Sequence, residues 1–126
     1  MNISKFTQKS VQAVQDLEKV AYEYGNQEIE QEHLLYTLLT QEDSLILKLI
    51  EKMEINKDYF IDTVKKALDA KVKVSGGELR FGQYLNKALV NAEDEAKAMG
   101  DEYVSVEHLF LALLKYPSPS MKKIWS

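Results

Sequence analysis

The sequence contains no cysteine, which excludes a disulfide scaffold, a thiolate zinc site and a cysteine nucleophile. Its 126 residues include only 2 prolines and 5 glycines, too few for a turn-rich all-β fold or a disordered tail. No apolar run approaches the roughly 20 residues of a membrane span. The opening residues, MNISKFTQKS, lack the apolar core of a signal peptide. We therefore expect a cytoplasmic protein that has no membrane segment.

Positive charge suited to nucleic acid is also scarce. The 16 basic residues face 20 acidic ones, giving a net charge of −4, and Arg80 is the single arginine. Arginine makes the bidentate contacts with phosphate and guanine that nucleic-acid binders use, so nucleic acid is not an expected partner. The composition that remains, 45% hydrophobic and 29% charged, is that of an ordinary globular domain large enough to bury a core.

The chain repeats itself at an offset of 75 residues, without gaps, over residues 6–39 and 81–114. The identical pairs are Phe6/Phe81, Gln8/Gln83, Ala13/Ala88, Glu18/Glu93, Ala21/Ala96, Gly25/Gly100, Glu32/Glu107, His33/His108, Leu34/Leu109, Leu38/Leu113 and Leu39/Leu114. Chance would give only a few such matches, so the sequence indicates a duplicated unit. We expect two units related by a pseudo-twofold axis that share one core.

Each unit begins with a long amphipathic helix, followed by a shorter and more apolar one. The long helices should end at Gly25 and Gly100, because glycine is the usual residue of a left-handed cap. The short helices, HLLYTLL and HLFLALL, are apolar on every side and should form the buried centre of each unit. Glu30 and Ser105 are their expected N-caps. Leu38, like its repeat partner, should lie in the core.

After its short helix the first unit continues into two more helices, whereas the second continues into a loop over residues 117–120 and only the start of a helix over residues 121–125. Asp43 or Ser44 can cap a third helix over residues 45–53, and Asn56 or Lys57 can open a fourth. We predict repeat one over residues 1–70, a linker over residues 71–80 in which a brief extended piece fits, and repeat two over residues 81–126. Repeat two ends before a counterpart of the fourth helix. This pattern is typical of an excised domain or of a chain with a further remainder.

No catalytic or metal site is expected in this segment. The two histidines are repeat partners near the start of the short helices, where capping and packing explain them better than a metal site or an acid–base pair. His-Glu-x-x-His is absent, as are a phosphate loop and a Gly-x-Ser-x-Gly elbow. The carboxylates fall mostly on solvent-facing helix positions. We expect the segment not to be an enzyme and not to bind ATP.

The duplicated pattern resembles a known family. Phe6-Thr7 precedes the first long helix, and the segments IEQEHL and VSVEHL open the two short helices at positions 29–34 and 104–109. Nearly the whole chain is similar to the Clp N-terminal repeat domain of class 1 Clp/Hsp100 ATPases. The run LILKLIEKMEIN and the link NQEIE look most like the ClpB-type disaggregase branch.

The resemblance implies an all-α domain tethered to two AAA+ modules of a homohexameric parent. Its implied function is to bind exposed segments of unfolded or aggregated protein and deliver them to the AAA+ rings. The alternative is docking of an adaptor protein, as in the ClpC and ClpA branches, with no direct grip on substrate. No cofactor is implied for this segment, since ATP and magnesium belong to the parent's ATPase modules. By itself the domain should be monomeric.

The resemblance also implies a substrate surface, a shallow apolar groove between the units. Its matching positions are Thr7, Leu89, Val90, Val106, Glu107 and His108. Leu89 and Val90 would supply apolar contact area, while the three polar members would hydrogen-bond a peptide backbone. Leu89 can equally be a core residue like its repeat partner Val14, and that alternative stays open on the sequence.

Overall fold

A computed structural model describes residues 3–125 and confirms the predicted all-α class. The first long helix is interrupted at Asp16, so it is described as α1 and α2. The helices are α1 (Gln8–Gln15), α2 (Leu17–Glu23), α3 (Gln31–Leu39), α4 (Leu45–Lys52), α5 (Lys57–Asp69), α6 (Gln83–Ala98), α7 (Val106–Lys115) and α8 (Pro119–Trp125). Within residues 3–125, no helix is long and apolar enough to cross a membrane.

Short backbone segments of the two units pair with each other in two places. Strand β1 (Glu28–Ile29) of the first unit runs parallel to β2 (Arg80–Phe81), with Ile29 opposite Phe81. Phe6, before α1, forms an isolated parallel bridge with Val104 of the second unit. Adding 75 to Phe6 and Ile29 gives Phe81 and Val104, so the two pairings are equivalent. In each, the residue just before a long helix pairs with the segment before the short helix of the other unit. This reciprocity is the predicted pseudo-twofold arrangement.

The predicted helix boundaries are confirmed at several caps. Gly25 and Gly100 follow the long helices with φ of 71° and 73°, the left-handed conformation that glycine adopts without strain. The Ser44 hydroxyl accepts a hydrogen bond from the Leu47 N–H at 3.0 Å, so Ser44 rather than Asp43 caps α4. Asn56 caps α5 in the same way. The brief extended piece considered around Val72 and Val74 does not form a strand, and the strand of this region, β2, begins only at Arg80, the last residue of the predicted linker.

The short helices α3 and α7 lie at the centre of the fold and pack against each other. Leu38 and Leu113 are both completely buried, which confirms their assignment to the core. Helices α1 and α2 pack on α3, while α6 packs on α7, so each long helix covers the short helix of its own unit. Helix α5 covers another side of α3.

One polar side chain joins the two units across this core. The Gln31 amide donates to the carbonyl oxygens of Tyr84 and Tyr116, both at 3.1 Å, and its oxygen accepts from the Ser118 N–H at 2.9 Å. Gln31 is 1% exposed, and buried polar groups need hydrogen-bond partners from the protein itself. Its side chain supplies a partner for each of these three backbone groups. Its repeat partner is Val106, which makes this contact a departure from the internal symmetry.

Candidate functional site

The two histidines close the N-terminal ends of α3 and α7. The backbone N–H of Glu30 donates to Nδ1 of His33 at 2.9 Å. The backbone N–H of Ser105 donates to Nδ1 of His108 at the same distance. The first N–H groups of a helix have no partner inside the helix, and here a side chain three residues onward turns back to supply one for the cap residue. The predicted capping role of both histidines, with Glu30 and Ser105 as N-caps, is confirmed.

The cap also determines the ring tautomer. Because Nδ1 accepts a hydrogen bond, the proton of the neutral ring sits on Nε2. His33 Nε2 donates to Asn26 Oδ1 at 3.0 Å, and His108 Nε2 lies 2.8 Å from Asp101 Oδ2. Asn26 and Asp101 are themselves repeat partners. Both nitrogens of each ring therefore contact the segment before the short helix, which spans residues 26–30 in the first unit and 101–105 in the second.

The acidic residues beside the histidines differ between the units. Glu32 is 1% exposed, and its carboxylate contacts Lys71 Nζ at 3.2 Å and accepts a hydrogen bond from the Ser120 hydroxyl. Lys71 also reaches Glu30 at 3.1 Å. A buried carboxylate needs such partners to remain charged. Its repeat partner Glu107 is exposed on the surface, with its carboxylate available to solvent.

An apolar groove of about 390 Å³ opens between α4 of the first unit and α7 of the second. Its floor and walls are almost entirely carbon, and its two charged members, Lys52 and Glu107, stand on opposite helices. It is lined by Leu49, Lys52, Met53, Met99, Glu107, His108, Phe110, Leu111 and Leu114. An apolar concavity with few charges is the usual form of a site for an apolar ligand or chain segment.

Several large apolar side chains in this groove are exposed to water. The exposed fraction is 52% for Met53, 59% for Met99 and 37% for Leu114. Leu39, the repeat partner of Leu114, is only 1% exposed. The same helix position is therefore core in the first unit and surface in the second. A contiguous exposed apolar surface of this kind marks an interaction site more often than an isolated exposed leucine does.

The structure divides the six predicted substrate-binding residues by burial. Leu89, Val106 and His108 are 2%, 7% and 4% exposed, so Leu89 is a core residue, as the alternative reading held. Val90 is 53% exposed, Glu107 is exposed, and Thr7 is half-buried. Of the six, Glu107 and His108 line the groove between α4 and α7. Whether the six bind polypeptide stays a prediction.

Most of the groove was missed in the sequence. The all-round hydrophobicity of HLFLALL was interpreted as complete burial, but Leu114 lies on a side of α7 that is open. The available signal was the unequal number of helices in the two units. Within residues 3–125, the side of α7 that corresponds to the α5-covered side of α3 has no helix equivalent to α5 against it, and Leu114 on that side is 37% exposed.

Thr7 has a structural role that bears on any test of it. Its Oγ1 accepts a hydrogen bond from the Ser10 N–H at 3.3 Å and caps α1. We expect Thr7→Ala to lower the free energy of unfolding by about 1 kcal/mol, because α1 loses its N-cap oxygen. Urea unfolding measures the loss, and Thr7→Ser, which keeps the oxygen, is the matched control. Equal stability of the alanine and serine variants would contradict the capping role.

Comparison with known proteins agrees with this architecture. The model of the Clp repeat N-terminal domain matches residues 5–125. The chaperone protein ClpB of Nitratidesulfovibrio vulgaris is 37% identical over 126 residues, covering 96% of this chain and 15% of the relative. The chain thus spans about a seventh of that relative's length. The ClpB-like branch suggested by the sequence is confirmed at the level of similarity.

Solved structures show the same fold. The Hsp104 N-terminal domain of Candida albicans superposes with a TM-score of 0.84 at 22% identity, covering 96% of this chain and 79% of that chain. The N-domain of ClpV in complex with a VipB peptide gives a TM-score of 0.76 at 20% identity, covering 98% and 78%. With a family match over nearly every residue, the chain belongs to the Clp repeat N-terminal domain family.

Proposed function

We propose that this chain is the substrate-recognition module of an ATP-dependent protein-remodelling chaperone. It binds exposed segments of unfolded or aggregated protein and presents them to the AAA+ rings of a hexameric parent in the cytoplasm. The observation that carries the proposal is the exposed apolar groove between α4 and α7. Membership of the Clp repeat family and similarity to ClpB chaperones support it.

The groove has the properties that a general substrate site needs. Met53 and Met99 both line the groove, and methionine side chains are unbranched and polarisable, so they adapt to different apolar partners. Lys52 and Glu107, which are both exposed, add one charge of each sign to its lining. Release to the parent's pore requires weak binding. A dissociation constant of about 10 μM corresponds to about −7 kcal/mol, which a small apolar contact can supply.

The test compares one model protein in a permanently unfolded form and in its folded form. We expect the chain to bind only the unfolded form. Leu114→Lys or Met99→Lys places a charge in the groove, which should weaken binding at least about tenfold. Tyr22→Lys is the matched control because Tyr22 is 81% exposed on α2, outside the groove. Binding that is unchanged in both groove variants would refute the proposal for this site.

A second pair of variants tests the substrate-binding residues predicted from the sequence. Glu107→Ala and Thr7→Ala are expected to keep the fold, apart from the lost cap. If Glu107 contacts substrate, its alanine variant binds the unfolded protein more weakly than the parent chain. If neither variant weakens binding while Leu114→Lys does, the substrate lies in the groove without touching the predicted polar residues.

Adaptor docking is the second candidate function. The N-domain of ClpV, which shares this fold, is known in complex with a VipB peptide, so a domain of this shape can receive a defined partner. A docking module binds one folded partner in fixed stoichiometry and ignores unrelated unfolded chains. Lack of binding to the unfolded model protein would favour this function over direct substrate recognition.

A further inference from the structure

The start of the linker, residues 71–74, is tied to the segment that precedes α3. The Val74 N–H donates to the Gly25 carbonyl oxygen at 2.9 Å, and Asn26 Nδ2 donates to the Val72 carbonyl oxygen at 3.1 Å. The later linker residue meets the earlier residue of that segment, so the two run antiparallel. These four linker residues form an ordered strap on the first unit.

Two acidic residues of the first unit hold the first side chain of the strap. Lys71 Nζ lies 3.1 Å from Glu30 Oε2 and 3.2 Å from Glu32 Oε1. The Glu30 side chain is 37% exposed, whereas that of Glu32 is 1% exposed. Water screens an exposed ion pair, but a buried carboxylate that loses its cation is strongly unfavourable. Departure of Lys71 therefore affects Glu32 far more than Glu30.

The other oxygen of Glu32 holds the C-terminal helix. Ser120, the second residue of α8, donates its hydroxyl to Glu32 Oε2. At the far end of α8, Trp125 stacks on Phe60 of α5 with ring centroids 5.4 Å apart. One buried carboxylate thus lies between the strap and a helix that begins almost fifty residues later in the chain.

The loop before α8 is held independently of this carboxylate. The Gln31 side chain donates to the Tyr116 carbonyl oxygen and accepts from the Ser118 N–H. The Ser118 hydroxyl in turn accepts from the Met121 N–H at 3.2 Å. None of these three hydrogen bonds involves Glu32, so they can persist when its carboxylate moves.

We propose that Glu32 couples the strap to α8, so that release of either one promotes release of the other. When the strap leaves with Lys71, the buried carboxylate loses its cation and turns outward to water. The hydrogen bond from Ser120 is then lost, and α8 swings away from the first unit. In the reverse direction, departure of α8 admits water to Glu32 and weakens its contact with Lys71. This device does not depend on what the groove between α4 and α7 binds.

The position of α8 can be followed through Trp125, the single tryptophan of the chain. Lys71→Met keeps the apolar stem but removes the charge, as departure of the strap would. Acrylamide should then quench the fluorescence at least about twofold more strongly, because the ring leaves Phe60. Lys73→Met is the matched control, since Lys73 donates to the Tyr24 carbonyl oxygen at 2.6 Å. Unchanged quenching in Lys71→Met, or an equal increase in both variants, would overturn the coupling.

Glu32→Gln separates the charge from the hydrogen bond. The glutamine oxygen still accepts from the Ser120 hydroxyl, but the neutral side chain needs no cation. On this background, Lys71→Met should leave the quenching of Trp125 unchanged. An effect as large as in the parent chain would refute the role of the buried charge, as would strong quenching in Glu32→Gln by itself. Far-UV circular dichroism verifies that each variant keeps its helices.

Ser120→Ala tests the opposite direction. Alanine favours the helix but removes the hydroxyl that holds Glu32. The Val74 amide of the strap should then exchange with deuterium at least about fivefold faster, because coupling between two sites is reciprocal. Ser120→Thr, which keeps a hydroxyl, is the control, and amides within α6 should exchange as in the parent chain. Unchanged exchange at Val74 contradicts the proposal, and equal acceleration within α6 would replace it with opening of the whole domain.

Discussion

Leu113→Ala and Leu38→Ala are each expected to lower the free energy of unfolding by roughly 2–5 kcal/mol. Both leucines are completely buried at the centre of the short helices. Truncation removes contacts with α3, α7 and the long helices, and it leaves a cavity that the close-packed surroundings fill only in part. Urea unfolding followed by circular dichroism measures the loss.

The matched control for Leu113→Ala lies one residue further along the same helix. Leu114→Ala makes the same chemical change, but Leu114 is 37% exposed and lines the groove. Leu114→Ala should lower the free energy of unfolding by less than about half as much as Leu113→Ala, because the folded chain buries less apolar surface of Leu114. Equal losses at the two positions would mean that the groove face of α7 is as buried as its core face.

Internal repetition explains why so much of the fold was predictable. The offset of 75 residues placed matching glycine caps at Gly25 and Gly100, and matching histidines at the helix starts. Each of these residues occurs at the equivalent position of both units, which distinguishes a structural requirement from a chance pattern. Capping depends on local sequence, and the caps are predictions that the structure confirms.

The candidate site was less predictable because it depends on where the symmetry fails. Leu39 and Leu114 are the same residue in the same motif, yet one is core and the other is exposed. Sequence periodicity reports which positions are apolar, but burial depends on which helix lies against them. The surface carried over from the resemblance shared this difficulty, since Leu89 faces the core and Val90 faces solvent.

The sharpest asymmetries are polar. Gln31 reaches three backbone groups of the second unit, whereas its partner Val106 can reach none. Glu32 is buried with Lys71, whereas Glu107 stands exposed. Such contacts join residues far apart in the chain, so no local pattern predicts them.

His33 should make the stability of the fold depend on pH. Burial, with a contribution from nearby Lys71, lowers the pKa of His33 from its ordinary value of 6.5 to about 4. Its Nδ1 already accepts the Glu30 N–H, so a second proton has no free position without breaking the cap. The folded chain therefore keeps this ring neutral over a range where the unfolded chain protonates it.

The sign follows from proton binding. Below pH 6.5 the unfolded chain takes up a proton at His33 that the folded chain does not, so acid favours unfolding. The stability that the neutral ring contributes is complete above pH 6.5 and is lost as the pH falls towards 4. Between pH 7 and 4.5 the loss due to this residue should be about 2 kcal/mol.

Urea unfolding of the parent chain and of His33→Gln at several pH values isolates that loss. Glutamine does not titrate, so the variant should be less stable at pH 7 because its cap is weakened, but its stability should fall less steeply towards pH 4.5. Carboxylates contribute to the acid side of both curves and cancel in the difference. Parallel curves for the two proteins would show that His33 accepts a proton in the folded chain near its ordinary pKa, and that the Glu30–His33–Asn26 connection tolerates the charge.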